Sequence, residues 1–173
     1  MKTLIITLAS LLAVLSCAPS DTFDGPESPD VQTLTQNGVT VSLRYMPADA
    51  TMSDSYLYFH LSIGFEDQSK DLVYDKMRAG RQAYSAWLQK LMFEMKDFIH
   101  LETASGDSIP PDLCRMERSY GLHKSRSFLL MFPSPLQNDR KDQKLTLRLR
   151  EFGLGTGQIS FQIKTSAVRL EFL

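Results

Sequence analysis

The stretch that decides the fold is Tyr56-Leu57-Tyr58-Phe59-His60-Leu61-Ser62-Ile63-Gly64-Phe65. Leu57, Phe59, Leu61, Ile63 and Phe65 alternate with Tyr56, Tyr58, His60, Ser62 and Gly64. Successive side chains of an extended chain point to opposite faces, so this period of two puts the whole apolar set on one side. A half-buried strand follows, and its apolar face needs a second layer to cover it.

The same period recurs in both directions. Val39, Val41, Leu43 and Tyr45 alternate with Thr40, Ser42 and Arg44, and Leu145, Leu147 and Leu149 with Thr146, Arg148 and Arg150. Ile159, Phe161 and Ile163 alternate with Ser160, Gln162 and Lys164, and Val168, Leu170 and Phe172 close the chain. Ile99 with Leu101, residues 113–119 and residues 128–132 are less regular candidates. About eight strands result, several at the spacing of an antiparallel sandwich. The expected core joins Phe59, Leu61, Ile63, Leu147, Phe161 and Leu170, with Tyr58, Arg148 and Lys164 outside it.

One segment breaks the pattern. From Val73 the apolar positions are Met77, Tyr84, Trp87, Leu88, Leu91, Met92, Met95 and Phe98, which fall on one stripe of a helix. This predicts an amphipathic α-helix over about 73–97, entered at Asp71, whose stripe closes an end or flank of the sandwich. Phe93 lies on the otherwise polar side: either the helix ends early or Phe93 meets something outside the domain. Gly153-Leu154-Gly155-Thr156-Gly157 is glycine-rich, but a strand follows it. A phosphate cradle needs a helix N-terminus there, so the segment is expected to be a hairpin turn.

The N-terminus has a different character. Lys2 precedes the apolar run of residues 4–15 (LIITLASLLAVL). A membrane-spanning helix needs about 20 apolar residues, so this run is too short to cross, but it fits an export signal. It ends at Val14-Leu15-Ser16-Cys17, which resembles the lipobox of bacterial lipoproteins, although Leu15 is larger than usual at its position. The resemblance implies that residues 1–16 are removed and that Cys17 is lipidated. Residues 17–37 then read as a tether, with Pro19, Pro26 and Pro29 among Asp21, Asp24, Glu27 and Asp30. Such a segment buries too little surface to offset its chain entropy. The acidic spacing lacks the glycine turn and terminal glutamate of a calcium loop.

The globular domain is therefore expected over residues 38–173, enough chain for one core. The formal net charge of −1 argues against nucleic acid as an obligatory partner. With Cys17 lipidated, Cys114 has no cysteine to pair with, so stability must come from the core.

Sequence motifs for catalysis are largely absent: there is no GxSxG, HExxH, CxxC or P-loop. His60, His100 and His123 are far apart, and neither a metal nor another cofactor is expected. Cys114 reads as a small buried hydrophobe rather than a nucleophile. Arg115, Arg118, Lys124 and Arg126, with Tyr120 among them, could bind an anionic glycan or lipid headgroup, or simply form a solvated face.

Lipobox, tether and sandwich together resemble the immunoglobulin-like lipoproteins of bacterial envelopes. That resemblance implies an immunoglobulin-like β-sandwich held at a membrane, binding or scaffolding an envelope protein or glycan. It transfers no site residue. The alternative is a lipid-anchored hydrolase, which would show a pocket with two of the histidines beside carboxylates. Ala18 rather than aspartate follows Cys17, which by the enterobacterial sorting pattern points to the outer membrane. Two places stand out for a partner: Phe93, and the terminal strand pattern with Leu170 and Phe172, where an open edge could accept another strand.

Overall fold

The computed structural model describes residues 31–46, 52–53, 55–118, 120, 123–135 and 144–163. The alternating segments form two antiparallel sheets. The first holds β1 (Val31–Gln36), β2 (Val39–Met46), β3 (Tyr56–Phe65), β6 (Leu113–Met116) and β7 (Arg126–Pro133), in the order β1-β2-β3-β7-β6. The second holds β4 (Ile99–Glu102), β5 (Ser108–Ile109), β8 (Leu145–Leu149) and β9 (Ile159–Ile163), in the order β5-β4-β8-β9. Their inward faces share one apolar cluster, so the architecture is a β-sandwich.

Register explains the core. Leu61 pairs with Leu43 on one side and Phe128 on the other, while Leu147 pairs with Leu101 and Phe161. Each row thus lines up apolar residues on one face, and Phe59, Leu61, Ile63, Leu147 and Phe161 are all buried. Leu170 and Lys164 lie outside the described residues. Arg148 stays on the outer face, paired with Glu102. Tyr58 departs from expectation: it is an outward-facing strand residue, yet only 9% exposed. Its hydroxyl accepts the Ser53 N–H at 3.2 Å, and the Tyr56 ring lies beside its own with centroids 6.5 Å apart.

The tether gives way to structure earlier than composition indicates. β1 falls within residues 17–37 and pairs along its whole length with β2. All six of its residues are exposed, so it carries no inward apolar pattern to betray it. The turn that makes it is Asn37-Gly38, both at positive φ (52° and 72°), a backbone suited to a two-residue hairpin. Thr33 and Thr35 meet Ser42 and Thr40 hydroxyl to hydroxyl at 2.9 and 3.0 Å.

The helical insertion is present but segmented. A 3-10 turn (Tyr74–Ala79) is separated by Gly80, at φ 104°, from α1 (Arg81–Gln89). The helix then widens to a π turn (Lys90–Glu94) and tightens to a 3-10 turn (Met95–Phe98). Trp87, Leu91 and Met95 face the core. Trp87 stacks on Phe152 with centroids 5.7 Å apart, and its indole N–H donates to the Leu72 carbonyl at 3.1 Å. The insertion thus joins the two sheets and covers part of their shared core. None of the described helices is long and apolar enough to cross a membrane.

Candidate functional site

The outer face of the five-stranded sheet is divided along its strands. At one end Met46, Tyr58, Met131 and Leu113 form a register row. At the other end the facing pairs are Ser42 with Ser62 and Thr40 with Gly64, so the surface is lined by hydroxyls. Over this polar end lies a cleft of about 610 Å3, bounded on one side by the loop after β3 and on the other by His123, Lys124 and Ser125. Lys70 and Lys124 place ammonium groups in its lining, and Glu66 supplies a carboxylate. A Cβ on Gly64 would lie 3.0 Å from Ser125 Cβ, so a larger residue there would push the 123–125 wall outward by a few tenths of an ångström.

The wall is held by a nearly enclosed ion pair. Arg126 is 7% exposed and turns inward at the start of β7. Its Nη2 donates to both carboxylate oxygens of Asp71 at 2.9 Å, and its Nη1 to the carbonyls of His123 and Ser125 at 2.8 and 2.9 Å. Asp71 Oδ1 also accepts the backbone N–H groups of Val73 and Tyr74, where the helical insertion begins. Leu72 N–H donates to the Lys124 carbonyl at 3.0 Å, a second tie between insertion and wall.

The four cations grouped by the sequence take different places in this arrangement. Arg126 is an internal structural group, 7% exposed, with both terminal guanidinium nitrogens bonded within the fold. A guanidinium taken out of water must be paired, and the chain supplies the partner from 55 residues away. Lys124 belongs to the cleft. Arg115 is exposed opposite Leu129, and Arg118 is exposed just past β6; neither lines the cleft.

The histidines occupy three settings. His60 Nε2 lies 3.0 Å from Glu117 Oε2 on the outer sheet face. His100 is on the other sheet, where burial and then Arg150 and Arg148 push its pKa down. His123 stands alone of the three in the cleft wall, with Glu66 elsewhere in the lining. Cys114 packs against the core, and burial pushes its thiol up to about 12, which keeps it protonated and poorly nucleophilic. Among the described residues no three of His, Cys, Asp and Glu gather as a metal-binding group.

The glycine-rich loop does connect two antiparallel strands, β8 and β9. Its amides converge on an anion nonetheless, and the anion is its own. Glu151 Oε1 accepts the N–H groups of Gly153, Leu154 and Gly155, while Oε2 accepts that of Gly157 and the Thr156 hydroxyl. Burial works against the charge, but the four amides outweigh it and hold the carboxyl at about 2. The nest is filled from within, and Asn37 Nδ2 binds its Gly155 carbonyl to the β1–β2 turn.

Of the partner positions, Phe93 is 68% exposed, on the outer side of the π turn. Leu170 and Phe172 lie outside the described residues. The cleft itself was not legible as a site in the sequence, because Ser42, Ser62, Lys70 and Lys124 stand in four separate elements. The Asn37-Gly38 hairpin signal could have revealed β1 and so the hydroxyl ladder beside the cleft. Compared with known proteins, the chain matches no family model, no curated protein and no solved structure.

Proposed function

We propose that this chain is a bacterial envelope lipoprotein, exported by residues 1–16, held by acyl groups on Cys17, and acting as a non-catalytic binding module. The apolar run ending at Val14-Leu15-Ser16-Cys17 supports the anchor. The observation that carries the binding role is the polar cleft, whose lining sets hydroxyls and two ammonium groups around open space with no thiol among them. Two or more acyl chains make such attachment permanent, and Ala18 after Cys17 favours the outer membrane. Phe93, exposed on the helical insertion, is where a protein partner would seat an aromatic side chain.

The anchor is tested by expression in a bacterium with labelled fatty acid. Cys17 should take up the label, and Cys17→Ser should abolish both labelling and membrane retention. An unlabelled, soluble wild type would end the lipoprotein reading.

A further inference from the structure

We infer that the cleft between the β2–β3 hydroxyl face and the 123–125 wall binds an acidic saccharide. The inference deepens the binding role proposed above and rests on it.

The ligand class follows from the lining. At about 610 Å3 the cleft falls within the size of small-molecule sites, but its floor is not apolar. A hydrocarbon ligand would strip water from Ser42 and Ser62 and return no hydrogen bond, which is costly. A polyhydroxyl ligand replaces those bonds one for one. The floor is also set before the ligand arrives. Ser42 and Thr40 are already fixed by Thr33 and Thr35 across the strand pair, and each hydroxyl has further hydrogen-bonding capacity.

Charge selects among saccharides. Lys70 and Lys124 against Glu66 leave the lysine and carboxylate charge of the lining positive. Lys70 meets Asp67 only at 3.7 Å, with both side chains more than half exposed, so its ammonium is loosely held. Lysine presents a compact point charge rather than a planar fork, which suits one carboxylate or phosphate on a sugar. The wall that carries Lys124 is held in place, its backbone tied to Leu72 and its neighbours' carbonyls to Arg126. Little ordering is then required on binding.

The test uses the full-length lipoprotein in detergent micelles, titrated calorimetrically with trigalacturonate, maltotriose and inorganic phosphate. Trigalacturonate should bind at least about tenfold more tightly than maltotriose, the margin expected of one charge-assisted contact. Lys70→Gln and Lys124→Gln should each weaken it by about tenfold, Ser62→Val should weaken it further, and Arg115→Gln should leave it unchanged. Both lysines are exposed, so these variants should fold, and unchanged melting midpoints would verify that. Equal affinity for the acidic and neutral trisaccharides would overturn the ligand class. Phosphate binding as tightly as trigalacturonate would reduce the cleft to an anion site and overturn the saccharide. Undiminished binding in the variant that combines Lys70→Gln with Lys124→Gln would overturn the location, and no saturation up to about 10 mM would overturn the inference entirely. Fatty-acid labelling of Cys17 on the same preparation is independent of these outcomes. A labelled chain that ignores all three probes sinks the saccharide and leaves the anchor standing.

Discussion

Arg126 and Asp71, 55 residues apart, form a nearly enclosed ion pair in which one guanidinium nitrogen reaches both carboxylate oxygens at 2.9 Å. The pair fastens the start of the helical insertion to the start of β7, and through the His123 and Ser125 carbonyls it shapes the cleft wall. Taking two charges out of water is expensive, so the pair is better evidence for a required geometry than for high stability.

Removing only one member should expose that cost. Asp71→Ala leaves the guanidinium buried and unpaired, and urea denaturation should show a loss of about 3–5 kcal/mol. The double variant Asp71→Leu with Arg126→Met replaces both charges by apolar groups and should recover much of that loss. It lacks the donors to the His123 and Ser125 carbonyls, so trigalacturonate binding should stay weak even where stability returns. Full recovery of binding would show that Arg126 does not position the wall.

Phe161 tests the sandwich. It is 1% exposed and completes the row with Leu147 and Leu101. Phe161→Ala should destabilise by about 3–5 kcal/mol, the combined transfer and cavity cost of a buried aromatic. A loss below about 1 kcal/mol, measured by the same denaturation, would mean that β9 does not face the core.

Glu151 predicts an acid-sensitive loop. Its carboxyl, ordinarily near 4.5, is held at about 2 because four amides outweigh the effect of burial. A depressed folded-state value gives stability that is complete above the unfolded value and lost as pH falls through the folded one. The melting midpoint of the wild type should therefore fall between about pH 5 and pH 2 more steeply than that of Glu151→Gln. At neutral pH Glu151→Ala should cost only about 1–2 kcal/mol, because the carboxylate is solvent-accessible and screened. Parallel acid profiles for wild type and Glu151→Gln would remove this role.

Alternation was enough to assign the inward residues of β2, β3, β8 and β9, because a period of two is a local property of an extended chain. It could not find β1, whose exposed residues owe their strand state to pairing along β2. It also put Tyr58 in solvent, since it could not see the Ser53 N–H that the Tyr58 hydroxyl accepts or the Tyr56 ring beside it. The helical stripe correctly aimed Trp87, Leu91 and Met95 at the core, but Met77 and Met92, on the same stripe, are exposed. The break at Gly80 and the π turn were hidden, because a wheel assumes one uniform pitch.

The amino-acid pattern on its own pointed to the sandwich and the helical insertion, both of which depend on periodicity, and a motif of four residues is the basis for proposing Cys17 as the lipidation site. The partners of the charged groups were settled only in three dimensions. Arg126 resembles its neighbours Arg115, Arg118 and Lys124 along the chain, yet it is buried against Asp71 while Lys124 lines the cleft. Likewise the glycine-rich loop holds the carboxylate of Glu151 rather than an external anion. Charge acts through space, and its strength depends on how much water is excluded around it. Which cations are consumed inside the fold and which are left for a ligand is therefore decided by strand order and burial.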